Sequence, residues 1–146
     1  VNDAPIAEVE VESAFVRYFE ALGVPTLSVD LDSRTDHSPF DAAGIASGGL
    51  HTGTSLHKTA AQAALFGGSV GQPYDPCYHS ACDTIDNVDW PILEEMADAA
   101  AHVTWQYAWD RSIAYHHAVD GATDDPAAPS RTCFLPALRT GRGESR

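Results

Sequence analysis

Residues 24–53, VPTLSVDLDSRTDHSPFDAAGIASGGLHTG, set the architecture. The segment VPTLSVDLD reads as a short β-branched strand that runs into polar turn residues at 32–35. Asp36 can cap a short helix, HSPFDAAG, which Gly44 closes. IASGGLHTG is strand-like but rich in glycine, as expected where backbone packs closely or a strand ends in a site loop. Upstream, residues 7–22 place Val11, Phe15, Tyr18, Phe19 and Leu22 at helical spacing, with Gly23 to end the helix. Downstream, KTAAQAALFGG favours a short helix, and a long loop holding Pro73 and Pro76 follows. A long helix is expected from Asp89, its cap, to about His117, with Ile92, Met96, Ala99, Val103 and Tyr107 as the buried stripe. Strand, helix, strand, loop and helix in this order indicate an α/β domain. Residues 1–120 form that domain in this reading, and residues 121–146, which lack periodicity, form a disordered tail. Two or three strands make a thin sheet for helices this apolar, so further strands are expected from elsewhere.

A chain of 146 residues with 44% hydrophobic and 20% charged residues suits one globular domain. Its net charge of −13 argues against nucleic acid, because phosphate binding needs an excess of lysine and arginine. The charge is uneven: residues 131–146 hold Arg131, Arg139, Arg142 and Arg146 against Glu144 alone. No apolar run approaches the roughly 20 residues that cross a bilayer, so no membrane is expected as partner. The chain starts at Val1 without a leader, which reads as a processed or truncated start.

Two of the three cysteines, Cys77 and Cys82, enclose Tyr78 and His79 in YDPCYHSACDT, residues 74–84. A bond between them would constrain the loop by about 2 kcal/mol and imply an oxidising compartment. The competing reading is a metal pair, which lacks the second pair of ligands that a structural zinc site needs. Cys133 has no evident partner in either reading. Three other patterns carry no mechanism. GGSVG at 67–71 matches G-x-S-x-G, but a helix former precedes it where a nucleophile elbow needs a strand. Glu94 and Glu95 suit the positive end of a helix and point apart, and His116 and His117 suit the negative end of theirs.

The blocks SRTDHSPFDAAGIASGGLHTG (33–53) and DPCYHSACDT (75–84), in this order and spacing, resemble the M28 family of zinc aminopeptidases, in its secreted, Streptomyces-type branch. The resemblance covers about residues 10–115. It implies an α/β/α sandwich around a mixed, mostly parallel sheet, with two zinc ions held by two histidines, a bridging aspartate and two further carboxylates. A separate glutamate would act as general base on the metal-bridging water. The resemblance further implies that His79 is the last zinc ligand and that the Tyr78 hydroxyl stabilises the tetrahedral intermediate. Arg34 would lie near the substrate, in a block where Thr35 replaces the usual serine. His51 stands where an aromatic residue often lines the pocket for the substrate's first side chain. The Cys77–Cys82 bond would hold this loop still, and Asp36 could fix the second ring nitrogen of His79. Some members of this branch also bind calcium near the last helix, for which Glu94 and Asp98 are the candidates here.

The remaining zinc ligands and the general base are expected well upstream of these blocks, yet no histidine precedes His37. The chain therefore reads as the C-terminal half of such a domain, with peptide as substrate and a missing N-terminal half as partner. Two functions compete. One is a secreted zinc exopeptidase active only with the other half present. The other is a non-catalytic remnant or binding module that keeps the pocket wall without the metals.

Overall fold

The computed structural model describes residues 6–30, 36–43, 45–109 and 131–134. Helix α1 (Ile6–Leu22) is followed by strand β1 (Leu27–Asp30), the one-turn helix α2 (Ser38–Asp41), strand β2 (Leu50–His51) and helix α3 (Ala60–Phe66). A 3-10 turn at Ile85–Asn87 leads into α4 (Trp90–Trp109), and strand β3 (Arg131–Phe134) comes last.

Both long helices form because their apolar residues recur every three or four positions. On α1, Ala14, Phe15 and Phe19 are buried, with Val11, Val16 and Tyr18 packed around them. On α4, Ile92, Ala99 and Val103 are buried, flanked by Met96 and Tyr107. These two stripes, with Val24 and Leu50, make one core. Leu22, expected in the α1 stripe, is instead 52% exposed, because the helix is already turning at its end. Gly23 takes φ 71° there, the left-handed conformation that a side chain would strain. Its N–H donates to Glu20 O at 3.0 Å, and the Val24 N–H donates to Phe19 O at 2.9 Å. That is a Schellman ending, with Val24 returned to the same apolar cluster as Phe19. At the other end of the core, the Asp89 carboxylate accepts the Ile92 N–H at 3.3 Å and caps α4 as expected. The expected continuation of α4 to His117 lies outside the described residues.

The sheet order is β1-β3-β2. β3 runs antiparallel to β1, pairing Leu27 with Phe134 and Asp30 with Arg131, and parallel to β2, pairing Leu50 with Cys133. The sheet is therefore mixed, in agreement with an α/β domain. The expectation of a disordered tail over 121–146 fails at Arg131–Phe134, which supplies the central strand. Cys133 is a backbone partner of both Ser28 and Leu50. α1 lies against β3 as well as α4. Of the IASGGLHTG segment only Leu50–His51 is strand, since its glycines hold no side chains to pack.

Asp36 does not cap α2. The helix begins at Ser38, so His37 occupies the cap position, with φ −83° and ψ −14° and no capping hydrogen bond from its side chain. Those helical angles differ from the extended geometry in which a cap side chain reaches back to the helix. α3 carries a cap that fits the rule: Thr59 Oγ1 accepts the Gln62 N–H at 3.3 Å, and Gln62 Oε1 accepts the Thr59 N–H at 2.8 Å.

Two polar groups sit within this apolar frame. Glu12, 8% exposed on α1, accepts a hydrogen bond from the Ser28 hydroxyl of β1 and so ties helix to sheet. Burial raises the pKa of the Tyr18 phenol above its ordinary 10.0, with further upward pushes from the charges of Asp98 and Glu95. Burial raises Tyr74 too. A phenol whose folded pKa exceeds its unfolded one contributes stability that is complete below pH 10.0 and is lost as pH rises through the folded value. Tyr18→Phe is therefore expected to flatten part of the alkaline fall in melting temperature, leaving the Tyr74 share. An unchanged slope above pH 10.0 would exclude Tyr18 as its source.

Candidate active site

The site is built on the segment that leaves β2. Residues 54–58 and 71–75 pair in an antiparallel ribbon: Asp75 N–H donates to Thr54 O at 2.8 Å, Tyr74 N–H to Leu56 O at 3.0 Å and Lys58 N–H to Gln72 O at 2.9 Å. This ribbon closes off α3 and the GGSVG loop as one excursion. In that loop Gly67, Gly68 and Gly71 all have positive φ, and α3 rather than a strand precedes it, so it is not a nucleophile elbow. The ribbon delivers the loop at 75–84 to the C-terminal end of β2. Ligands of open α/β sheets bind at that end of the strands.

Cys77 and Cys82 are joined by a disulfide with Cα atoms 5.2 Å apart, which settles the two readings of this pair. Inside the loop, Ser80 N–H donates to Cys77 O at 2.8 Å, closing a turn with Tyr78 and His79 at its centre. His79 has φ 55°. A negative φ at Tyr78 followed by a positive one at His79 is the type II pattern, which favours glycine or asparagine at the second place. For an L-residue such as histidine the left-handed region costs roughly 1–2 kcal/mol. The disulfide spans just these residues, and its constraint of about 2 kcal/mol is of the size needed to hold that turn. The consequence is that the rings of Tyr78 and His79 lie side by side, centroids 3.9 Å apart and tilted by 37°. Both residues are exposed, Tyr78 at 39%.

His79→Gly should accordingly stabilise the chain by about 1 kcal/mol, a rise of roughly 2–4 °C in melting temperature. His79→Ala keeps the Cβ and should give no such gain. Equal behaviour of the two variants in thermal denaturation would show that the backbone at 79 is not strained.

The other expected site residues are distributed as follows. His51 ends β2, half-buried, and its Nδ1 accepts the Gly53 N–H at 3.1 Å, which places the proton of a neutral ring on Nε2. Arg34 and Thr35 lie outside the described residues. Asp36 is exposed in the turn ahead of α2, and among the described residues no hydrogen bond joins it to His79. The carboxylate that does act on the loop was not foreseen. Asp75 Oδ1 accepts the Cys77 N–H at 2.9 Å and the Asn87 side-chain amide at 3.2 Å. The Asp-Pro pair at 75–76 is the signal that could have marked this turn.

Among the described residues no three His, Cys, Asp or Glu side chains converge as a metal site. A zinc ion takes four ligands, or three with a water. The described residues therefore do not fit a complete zinc centre, and Glu94 and Asp98 do not form a calcium site with a third such ligand. Glu94 is exposed and Glu95 half-buried on α4, consistent with a solvated face.

Comparison with known proteins identifies the family to which these blocks belong. The model of peptidase family M28 matches residues 5–104. The chain belongs to this family. It is 46% identical over 96 residues to leupeptin-inactivating enzyme 1 of Streptomyces exfoliatus, covering 65% of this chain and 22% of that protein. It is 42% identical over 100 residues to an aminopeptidase of Pseudomonas aeruginosa, covering 68% and 19% respectively. Leucine aminopeptidase 2 of Arthroderma otae is 38% identical over 104 residues, covering 71% and 21%. The chain thus spans about a fifth of the length of these relatives.

Proposed function

We propose that this chain is the part of a secreted M28 aminopeptidase that supplies one zinc ligand, His79, and one transition-state donor, Tyr78. The observation that carries this reading is the turn at 77–80, where a disulfide holds a histidine in left-handed backbone with a tyrosine against its ring. A surface loop with no task has no reason to keep a β-carbon at φ 55°, where glycine would remove the strain. The names of the relatives, two of them aminopeptidases, support release of N-terminal residues as the activity. The disulfide supports an oxidising compartment, and hence secretion. In this reading the full domain is an α/β/α sandwich, and the chain's three-stranded mixed sheet is extended by strands from the rest of it.

When bound, the two zinc ions would supply a water activated for attack on the peptide carbonyl. The chain's own residues have narrower tasks. His79 holds its position through the turn, and the Tyr78 hydroxyl donates a hydrogen bond to the carbonyl oxygen as negative charge develops on it. His51 and Arg34 would face the substrate, the first at its leading side chain. In this reading the remaining ligands and the general base come from elsewhere in the complete domain.

The test is zinc stoichiometry in a complete M28 domain carrying this segment. His79→Ala should lower the bound zinc from two ions to one and abolish turnover. Two retained ions would mean that His79 is not a ligand. The competing reading, a binding module without metal, predicts that no variant of this loop changes zinc content.

A further inference from the structure

The disulfide is not the only closure of the loop that carries Tyr78 and His79. The side-chain amide of Asn87, in the 3-10 turn ahead of α4, donates to Asp75 Oδ1 at 3.2 Å and to Asp83 Oδ1 at 3.4 Å. Asp75 and Asp83 flank the disulfide on its two sides, one two residues before Cys77 and the other directly after Cys82. One NH2 group therefore spans the neck of the loop. The same Asp75 oxygen accepts the Cys77 N–H at 2.9 Å, so the neck is coupled to the first residue of the bridge. Asn87 is itself fixed, since its N–H donates to Thr84 O at 2.9 Å.

We propose that Asn87 is a positioning residue for the site: its amide draws the Asp75 and Asp83 carboxylates together and so sets the backbone of Tyr78 and His79. The chemistry is specific to an uncharged group with two donor hydrogens. The carboxylates carry like charge, and without a donor between them they repel and open the neck. The disulfide limits the span from Cys77 to Cys82 but leaves the orientation of the loop on the domain undetermined. The ribbon sets that orientation from the β2 side, through the Asp75 N–H and Thr54 O. Asn87 sets it from the other side, because it belongs to the segment that leads into α4 and the core. The clamp and the disulfide thus act on different freedoms of one loop.

As a catalytic statement this rests on the proposed roles of Tyr78 and His79, so its test reads position rather than turnover. The experiment is NMR on the chain with its disulfide intact, comparing Asn87→Asp and Asn87→Ala with the parent below their melting temperatures. Asn87→Asp keeps the shape and replaces the donor by an acceptor facing two carboxylates, and Asn87→Ala removes the group. In the parent, the stacked phenol should shift the His79 ring protons upfield, and the one-bond Cα–Hα coupling of His79 should report positive φ. In both variants that upfield shift should largely disappear and the coupling move toward the value for negative φ, while core signals from Phe19 and Val103 stay in place. Unchanged His79 signals would overturn the proposal. A change in the Asp variant alone would overturn it as well, by assigning the effect to an added charge. Global unfolding by Asn87→Ala would also overturn it, since Asn87 would then support the domain rather than the loop. A positive result in the NMR, combined with full turnover by Tyr78→Phe and His79→Ala in the complete domain, would remove the catalytic reading and leave the clamp standing.

Discussion

Tyr78→Phe, made in a complete domain carrying this segment, is expected to lower kcat by about 10²–10³-fold with little change in KM and none in zinc content. Removal of one preorganised oxyanion donor has that typical cost, because the donor acts on charge present only in the transition state. The substitution is narrow in its effect. The phenyl ring keeps its place beside the His79 imidazole, 3.9 Å between centroids, so the turn from Cys77 to Ser80 should survive. The hydroxyl alone is lost. A proportional rise in KM with kcat unchanged would assign Tyr78 to ground-state binding instead. Unchanged kinetics would remove it from the mechanism.

The position of Tyr78 depends on features that the sequence displayed to different degrees. The two long helices were legible because their stripes, Val11 to Tyr18 and Ile92 to Tyr107, repeat at the helical period and need only local information. The Gly23 ending and the Asp89 cap were legible for the same reason. The disulfide pair could be read as one of two alternatives, and geometry selected it. β3 was hidden. Arg131–Phe134 is four residues long with proline on both sides in sequence, at Pro129 and Pro136, and nothing in it alternates. Its strand identity comes from partners about a hundred residues away in β1, and short strands take their stability from such pairing rather than from intrinsic preference.

At the site, the residue types were legible and their support was not. His79 and Tyr78 stood out between two cysteines. The left-handed backbone at His79 did not, because only a small fraction of non-glycine residues adopt it and residue type alone does not mark which. Asp36, the carboxylate that the family block offers, lies exposed in a turn. The carboxylates that hold the loop, Asp75 and Asp83, are joined through an asparagine from the next element. A hydrogen-bond bridge of that kind leaves no periodicity for sequence reading to find.

The second large effect concerns the 146 residues on their own. Among the described residues, no set of three metal-binding side chains converges, and His79 is the one proposed ligand where the two-zinc site needs about five. Loss of a general base alone costs about 10²–10⁴-fold, and loss of an activated water costs more. The exposed imidazole of His79 can still take up zinc weakly, so binding would not discriminate and turnover does. The decisive measurement is hydrolysis of leucine p-nitroanilide by the purified chain in the presence of zinc. No rate above background is expected, with activity appearing only when the rest of an M28 domain is supplied. Robust, chelator-sensitive turnover that His79→Ala abolishes would contradict this reading, and would mean that carboxylates of this chain, Asp36 or Glu94 first, complete the site.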